Sequence, residues 1–348
     1  MSDHSTEAAL EPELPIVDCH HHVWRKFDAD VTLGPDDDGA DGEQGLPDYW
    51  VPTYLADVEA SGHNITKSVV VECGTDYRTD GPLELRSTGE VEAFTAAALA
   101  NTNASVHFGA GMISNADLRL GNAITEVLEA HKEAAQGRLR GIRTSTFFAE
   151  FPLFGHPPVE DRRGMLRNSG VVDAANRVGD AGLCLDVFVV DEQLPDLAYL
   201  ANASENTTIV LNHMGVPLRF GSRLGQPDEG IAVWRDGLRA VARHPNVVTK
   251  IGGVGMDMVT DLTNSMNAPG HSMSSDELVD RWGAYVRETI DIFGVERCMF
   301  ESNYPVDRPG GSMTAIWNSF KKLTVNHSAA ERDALFRGNA TAVYQLDR

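Results

Sequence analysis

The segment SVHFGAGMISNADLRLGNAITEVLEAHKEAAQGRLRGIRTS (105–145) contains one complete strand–helix–strand unit. Its two ends, 105–113 and 139–145, are short apolar runs with the length of a buried β-strand. Between them, residues 123–135 place apolar side chains three and four positions apart, which predicts an amphipathic helix. Two strands joined through a helix are the repeating unit of α/β folds.

The same alternation continues in both directions along the chain. The predicted strands are 15–22, 67–73, 105–113, 139–145, 183–189, 207–213, 246–253 and 297–303. The predicted helices include 54–62, 89–101, 123–135, 171–182, 231–244, 275–294 and 313–323. Eight repeats of strand and helix predict the α/β class and a single (β/α)8 TIM barrel rather than an open sheet. Residues 328–346 predict one or two C-terminal closing helices.

Length and charge limit the domain organisation and the partners. An α/β barrel of 348 residues is routinely one domain, so we predict a flexible tail over 1–14 and one barrel domain over 15–348. The formal net charge of −22 argues against nucleic acid, whose phosphates attract basic surfaces. The sequence has no apolar run of membrane-spanning length and no signal peptide pattern. We expect a cytoplasmic protein with a small-molecule substrate, and homo-oligomerisation stays open.

Polar residues lie at the ends of the predicted strands, where a TIM barrel has its active site. In IVDCHHHVW (16–24), side-chain alternation places Asp18, His20 and His22 on one face of the first strand. A charged group inside an apolar run is costly to bury unless it is paired or functional. Several strands contribute such groups, so accidental crowding is a poor explanation. The further polar residues are Glu72, Arg143, His213, Lys250, Glu301 and Asn303.

Four motifs occur in a fixed order along the chain: DCHHHVW (18–24), GIR (141–143), IVLNHMGVP (209–217) and RCMFESNYPVD (297–307). Through them the chain resembles the amidohydrolase superfamily, specifically the branch of sugar-lactone and pyrone-dicarboxylate lactonases. The resemblance runs from about residue 15 to the end of the sequence. It implies a hydrolase that opens a lactone or related cyclic ester of a small carboxylated or oxygenated metabolite. The alternatives are a metal-dependent decarboxylase, an amide hydrolase or a non-catalytic ligand-binding barrel.

The resemblance also implies roles for individual residues. His20 and His22 correspond to a pair that binds a divalent metal in most members and can hold substrate without metal in the lactonase branch. His213 corresponds to a histidine that polarises the attacked carbonyl or binds metal. With a metal, His20, His22 and His213 together with a carboxylate would supply nitrogen and oxygen ligands, which suit zinc or manganese; metal-independent catalysis stays open. The expected substrate-binding residues are Arg143, Glu72, Lys250 and Tyr77.

One position departs from the pattern of the family. The strand-eight motif normally presents an aspartate that deprotonates water, and this chain has Asn303 there. An amide does not accept a proton near neutral pH, so it cannot act as a general base. We favour relocation of the base to Asp307, with Glu301 and Glu72 as alternatives. A reaction without a base and loss of activity are the other two explanations.

Overall fold

Eight parallel strands form the centre of the molecule in the computed structural model, which describes residues 7–25, 48–148, 159–217, 227–256 and 272–347. They are hydrogen bonded in sequence order, each parallel to the next. This arrangement confirms the predicted single (β/α)8 barrel. The strands are β1 Ile16–His21, β2 Ile65–Val71, β3 His107–Asn115, β4 Leu139–Ser145, β5 Cys184–Phe188, β6 Ile209–Leu211, β7 Val247–Ile251 and β8 Cys298–Phe300.

A longer helix follows every strand. These helices are α1 Val51–Ser61, α2 Thr88–Ala100, α3 Ile124–Ala135, α4 Ser169–Asp180, α5 Leu194–Ala203, α6 Pro227–Ala242, α7 Ser275–Phe293 and α8 Met313–Leu323. The pattern of the sequence does not predict α5, because its ten residues are mostly apolar and lack a clear polar stripe. The closing segment contains α9 Ala329–Asp333, a π-helical turn Ala334–Gly338 and α10 Asn339–Val343.

Several strands end earlier than the sequence predicts. β6, β7 and β8 stop at Leu211, Ile251 and Phe300, so the polar residues at 212–213 and 301–303 lie beyond the strands. Two of these residues, His213 and Asn303, have φ angles of 52° and 47°, in the left-handed region that residues other than glycine rarely adopt. Strict side-chain alternation therefore does not extend to Glu301 and Asn303, which leave the strand geometry.

The barrel closes between β1 and the residues that follow β8. The Asn303 N–H donates to the His20 carbonyl, and the His22 N–H donates to the Tyr304 carbonyl, each at 2.9 Å. Asp18, which is fully buried, accepts from the Ser302 N–H at 3.0 Å and from the Ser302 hydroxyl at 2.7 Å. One buried carboxylate therefore fixes the last strand to the first.

The N-terminal end of the barrel, where the strands begin, is filled by a cluster of apolar side chains from the strands and from the C-terminal segment. Tyr344 and Leu346 enter this cluster from the residues after α10. Lys67 on β2 donates to the Leu346 carbonyl at 2.9 Å and holds the segment in place. The strand residues in the cluster are Val17, Cys19, Val69, Val71, Ala110, Ile113, Cys184, Val210 and Met299.

Residues 7–14, part of the predicted flexible tail 1–14, contact the outer helices. The Lys321 ammonium group on α8 donates to the carbonyls of Leu10 and Glu11 at 2.7 and 2.9 Å, and lies 2.8 Å from His63 Nδ1. The described part of the tail is thus hydrogen bonded to the barrel. Residues 1–6 of the predicted tail lie outside the described residues. A domain boundary at residue 15 stays a prediction. Within the described ranges no helix is both long and apolar enough to cross a bilayer.

Replacing Lys321 by methionine should lower the free energy of unfolding by about 1–3 kcal/mol, because the part-buried hydrogen bonds of its ammonium group to the Leu10 and Glu11 carbonyls and its contact with the buried His63 are lost. Lys321 is 1% exposed. The matched control is Lys322→Met, which removes an ion pair between Lys322 and the exposed Asp276 and should cost about 0.5 kcal/mol or less. Urea unfolding of both variants measures the difference. Equal effects at the two positions would contradict a specific role for Lys321.

Candidate active site

Three histidines meet at the ends of β1 and β6. The ring centroid of His20 lies 4.8 Å from the centroids of both His22 and His213, and no side chain of the three is more than 2% exposed. The Nε2 atoms of His20 and His22 are 3.0 Å apart. His22 Nδ1 lies 3.0 Å from the Val71 carbonyl at the end of β2, which orients its ring. The structure thus brings these three predicted residues together.

Glu301, directly after β8, connects two of these histidines. Its Oε1 lies 2.6 Å from His213 Nδ1 and its Oε2 lies 3.0 Å from His20 Nδ1. Burial raises the pKa of Glu301 to about 8, although the Lys250 charge acts in the opposite direction. Burial also lowers the pKa of His20 well below its usual value, and the charge of Lys250 adds to this effect. Burial thus disfavours charge on both the Glu301 carboxyl and the His20 imidazole.

Two glycines after β7 make room for this cluster. A side chain at Gly252 would overlap the side chain of Glu301. At Gly253, where φ is +69°, an added Cβ would lie 2.7 Å from His213 Cγ, closer than real contacts allow. Because Gly252 and Gly253 have no side chains, Glu301 and His213 can both pack directly against the backbone after β7.

Arg143 on β4 lies beside the histidines with its guanidinium group almost fully buried. Its Nη1 donates to Glu72 Oε1 at 3.1 Å, and its Cζ lies 5.3 Å from the centroid of the Phe188 ring. Phe188 also contacts His213, whose ring is 5.3 Å away in an edge-to-face arrangement. The charge of Arg143 contributes to the lowered pKa of His20, so the two groups are close enough to interact. Glu72 balances the buried charge of Arg143.

Lys250 on β7 lies deeper in the barrel, under the histidines. Its ammonium group donates to Asp186 Oδ2 at 2.7 Å and lies 3.3 Å from His20 Nδ1. Asp186 on β5 also accepts from Asn212 at 3.1 Å and from the Tyr344 hydroxyl at 3.0 Å. All these side chains are fully buried. Lys250 therefore belongs to a paired interior network that reaches the C-terminal segment.

Asn303 and Asp307 form a separate pair on the loop after β8. Asn303 Nδ2 donates to Asp307 Oδ1 at 2.8 Å, and the Asp307 N–H donates to the Asn303 carbonyl at 3.0 Å. Asp307 is fully buried, and burial raises its pKa to about 8. The hydrogen bond from Asn303 opposes this rise, and the neighbouring Glu301 adds to it. Asp307 becomes a proton acceptor only at mildly alkaline pH.

The remaining predicted site residue, Tyr77, lies on the loop after β2, with a half-buried side chain. Its role in substrate binding stays a prediction, as do the roles assigned to the other residues. Sequence reasoning missed Asp186, although a lone acid inside the apolar run LCLDVFV (183–189) is the signal that identified Lys250. It also missed Tyr344, because a tyrosine near the end of an amphipathic segment gives no sign that it reaches the barrel interior.

The donor set of the cluster is suited to a divalent ion. In the described part of the chain, His20, His213 and Glu301 can each direct one ligand atom into a region where these atoms lie within 4.8 Å of one another. Two imidazole nitrogens and one carboxylate oxygen suit zinc and manganese. The predicted set also contained His22, and it included a carboxylate without naming the residue. Nδ1 of His22 faces a carbonyl oxygen, so its Nε2 remains the atom that could take part.

A family model described as Amidohydrolase matches residues 17–346. The chain belongs to the amidohydrolase family. It is therefore an enzyme of the amidohydrolase superfamily, and the resemblance that the four motifs carry is confirmed.

Curated relatives of this amidohydrolase include two with matches of different extent. The uncharacterized protein y4mH of Sinorhizobium fredii is 30% identical over 341 residues, which cover 96% of this chain and 99% of the relative. An L-fucono-1,5-lactonase of Burkholderia multivorans is 30% identical over 162 residues, or 46% of this chain. That match spans about half the length of the lactonase, 51%.

Solved structures share the fold of this amidohydrolase. An amidohydrolase of Burkholderia multivorans, in a crystal with bound zinc, has a TM-score of 0.69 and 24% identity, over 95% of this chain and 99% of that chain. The 5-carboxyvanillate decarboxylase of Sphingomonas paucimobilis has a TM-score of 0.54 and 14% identity, over 95% and 99% of the two chains. At these identities the likeness shows a common barrel.

Zinc titration should separate the two ligand sets. If Glu301 is a ligand, Glu301→Gln and His213→Asn should each weaken zinc binding by about tenfold or more, because a neutral amide is a poor ligand and each substitution removes a donor. His107→Asn, at an exposed histidine at the start of β3, is the control and should bind zinc like the wild type. Competition with a chromogenic chelator measures the affinities. Loss of binding in His22→Asn with full retention in Glu301→Gln would contradict this set.

Proposed function

We propose that this amidohydrolase hydrolyses a lactone or related cyclic ester of a small carboxylated or oxygenated metabolite. The observation that carries the proposal is the buried acid–histidine cluster of His20, His213 and Glu301 beside the guanidinium group of Arg143. Such a site offers donors for a carbonyl oxygen and a planar fork for a carboxylate. The match to an L-fucono-1,5-lactonase over 46% of this chain supports the same chemistry.

In the proposed reaction, Arg143 binds a carboxylate or ring oxygen and orients the ester. His213 donates to the carbonyl oxygen, which develops negative charge as water attacks the carbonyl carbon. Asp307, once ionised, accepts a proton from that water. The ester C–O bond then breaks, the ring oxygen takes up a proton, and the product is the open hydroxy acid.

A divalent ion fits the same site, and the proposal includes it as an optional component. His20, His213 and Glu301 would hold zinc or manganese. When bound, the ion would act as a Lewis acid toward the ester carbonyl. The roles of Arg143 and Asp307 are the same with and without the ion.

Decarboxylation is the second candidate, and Asn303 is compatible with it because loss of a carboxyl group needs no base for water. A panel of sugar lactones, including L-fucono-1,5-lactone, and of aromatic carboxylic acids separates the two. Acid release followed with a pH indicator, with the hydroxy acid identified by mass spectrometry, would support hydrolysis. Release of carbon dioxide from a carboxylic acid without ring opening would refute it. Adding zinc, manganese or a chelator to each assay tests whether the ion is needed.

Replacing Arg143 by lysine should reduce kcat/KM on the best lactone by about tenfold or more, because an ammonium group cannot reproduce a bidentate fork. The control is Arg140→Lys, at the other end of the same strand, where the guanidinium group donates to the Gly137 and Leu139 carbonyls. Steady-state kinetics measure kcat/KM of both variants, and Arg140→Lys should retain the value of the wild type. An Arg143→Lys enzyme with unchanged kcat/KM would leave Arg143 as a structural partner of Glu72.

The pH dependence of hydrolysis should identify the base. With Asp307 as base, kcat/KM should rise with pH and level off above about pH 8, because the raised pKa keeps this carboxyl protonated below that value. Asp307→Asn should lower kcat/KM by on the order of a hundredfold and remove this rise.

The pKa of Glu301 also lies at about 8, so Glu301→Gln serves as the control and should keep the rise with pH. Asn303→Asp should not increase activity, since a second carboxylate beside Asp307 would raise the pKa of one of the two acids. Faster hydrolysis by Asn303→Asp, together with an unaffected Asp307→Asn, would show that the base had not moved to Asp307.

A further inference from the structure

Glu90 on α2 is a buried acid that the proposed reaction does not use. It lies in the first turn of the helix and is fully buried. Its Oε1 accepts from the Cys73 N–H at 2.9 Å and from the Thr75 N–H at 3.1 Å. A carboxylate is costly to bury unless donors bind it, and Glu90 takes two donors from the turn that follows β2.

This turn, residues 73–75, directs two amide groups at one oxygen atom. Gly74 lies between them with a φ angle of 79°, in the left-handed region that glycine adopts readily. Backbone N–H groups that converge in this way form a concavity that binds anions. The anion here is the Glu90 carboxylate, so the conformation of the turn depends on a side chain of α2.

One peptide group of the turn lies between Glu90 and Arg143. Its N–H belongs to Cys73 and donates to Glu90. Its carbonyl oxygen belongs to Glu72 and accepts from Arg143 Nη1 at 3.4 Å, and Glu72 Oε1 accepts from the same nitrogen at 3.1 Å. A peptide group is planar, so the direction of its N–H also fixes the direction of its carbonyl. Glu90 and Arg143 thus act on opposite sides of one rigid unit.

We propose that Glu90 is a positioning residue that holds Arg143 in its substrate-binding orientation through the peptide group 72–73. The carboxylate also polarises this peptide group, because hydrogen bonds in a chain strengthen one another where the dielectric constant is low. The Glu72 carbonyl is thereby a stronger acceptor for Arg143. The proposal rests on the proposed lactone hydrolysis only for its effect on kinetics, and the geometry of Arg143 can be measured without substrate.

The start of α2 is anchored to the barrel, so Glu90 acts from a fixed position. His131 on α3 lies between two hydroxyl groups: its Nε2 is 3.0 Å from Ser87 Oγ, and its Nδ1 is 2.8 Å from Ser114 Oγ on β3. Burial lowers the pKa of His131 to about 4, so the neutral ring donates to one hydroxyl group and accepts from the other. Ser87, the last residue before α2, is thereby joined to the strand between β2 and β4.

The loop after β2 also packs closely against the first turn of α2. A Cβ added at Gly89 would overlap the Asp76 carbonyl oxygen and lie 2.8 Å from the Arg78 amide nitrogen. The Thr75 hydroxyl accepts from the Arg25 N–H at 3.2 Å, so the same turn contacts the residues after β1. The position of the turn is therefore determined from two elements besides β2.

A simpler role for Glu90 is to stabilise α2, because a carboxylate in the first turn of a helix interacts favourably with the helix dipole. That role predicts a loss of stability and no specific effect on Arg143. Glu277 provides a matched control, since it lies in the first turn of α7 and accepts from the Ser274 N–H at 2.8 Å. Replacing it by leucine removes the same kind of contact from a helix that follows β7.

NMR signals of the Arg143 Nε–H group test the geometry without substrate. In protein labelled with 15N-arginine, the signal that Arg143→Lys removes belongs to Arg143. We expect Glu90→Leu to shift or broaden this signal, because the peptide group 72–73 loses its anchor, and we expect Glu277→Leu to leave it unchanged. An Arg143 signal that is the same in wild type and folded Glu90→Leu would overturn the proposal, whether or not the enzyme hydrolyses lactones.

Kinetics on an active lactone test whether Glu90 acts through Arg143. Glu90→Leu should lower kcat/KM by about tenfold or more, mainly through KM, because a small displacement of a group that orients substrate is costly. In the Arg143→Lys background the same substitution should change kcat/KM by less than about twofold, because two residues that act as one unit are not additive. A fall of equal size in both backgrounds would contradict the proposal and leave Glu90 a role in stability alone.

Glu90→Gln is the second variant, in case Glu90→Leu does not fold. Glutamine keeps Oε1 as an acceptor and removes the charge, so the Arg143 signal should move in the same direction by a smaller amount. We expect kcat/KM to fall by about threefold, because a charge-assisted hydrogen bond is roughly twice as strong as a neutral one. A wild-type Arg143 signal together with wild-type kcat/KM in this variant would refute the proposal. If no lactone is hydrolysed, the proposed function fails and the NMR signal alone decides the role of Glu90.

Discussion

A lysine and an aspartate 2.7 Å apart, both out of contact with water, occupy the middle of this barrel. Removing two charges from water costs several kcal/mol for each ion, and the pair is stable only if its remaining donors and acceptors are satisfied. Asn212 and Tyr344 supply donors to Asp186, and the Lys250 ammonium group lies 3.3 Å from His20 Nδ1. The charge pair thus connects His20 with Tyr344, which enters the barrel from the C-terminal segment.

The site is rigid because its backbone adopts unusual conformations and makes close contacts that few other residue types allow. His213 and Asn303 adopt left-handed φ angles, and Gly253 approaches His213 more closely than any other residue type could. Such conformations persist only when the surrounding structure determines them, and they hold side chains in one geometry before substrate arrives. A hydrolase gains from this arrangement, because donors that are already oriented need not reorganise as charge develops on the carbonyl oxygen.

The fold could be predicted from the sequence because its period is long and repeated: eight apolar runs separated by amphipathic segments leave few other architectures. The residues at which the strands end were harder to predict. TTIVLNH and RCMFESN are uniformly strand-like, yet β6 and β8 end before Asn212 and Glu301, where hydrogen bonds to neighbouring elements replace the ladder. Convergence of His20, His22 and His213 followed from topology. Their partners did not, because Asp186 and Tyr344 are 158 residues apart in the sequence and meet only in the closed barrel.

The hydrogen bonds of Asp18 that close the barrel also affect how the chain folds over time. Asp18 and Ser302 are 284 positions apart, and six of the eight described strands lie between them in the sequence. Contacts between such distant residues are slow to form, because the chain loses entropy before the contact compensates for it. Until then β1 and β8 remain open sheet edges, and open edges of parallel sheets pair readily with other chains. Once Asp18 and the backbone hydrogen bonds beside it join β1 to the residues after β8, these edges are covered and no longer available to other chains.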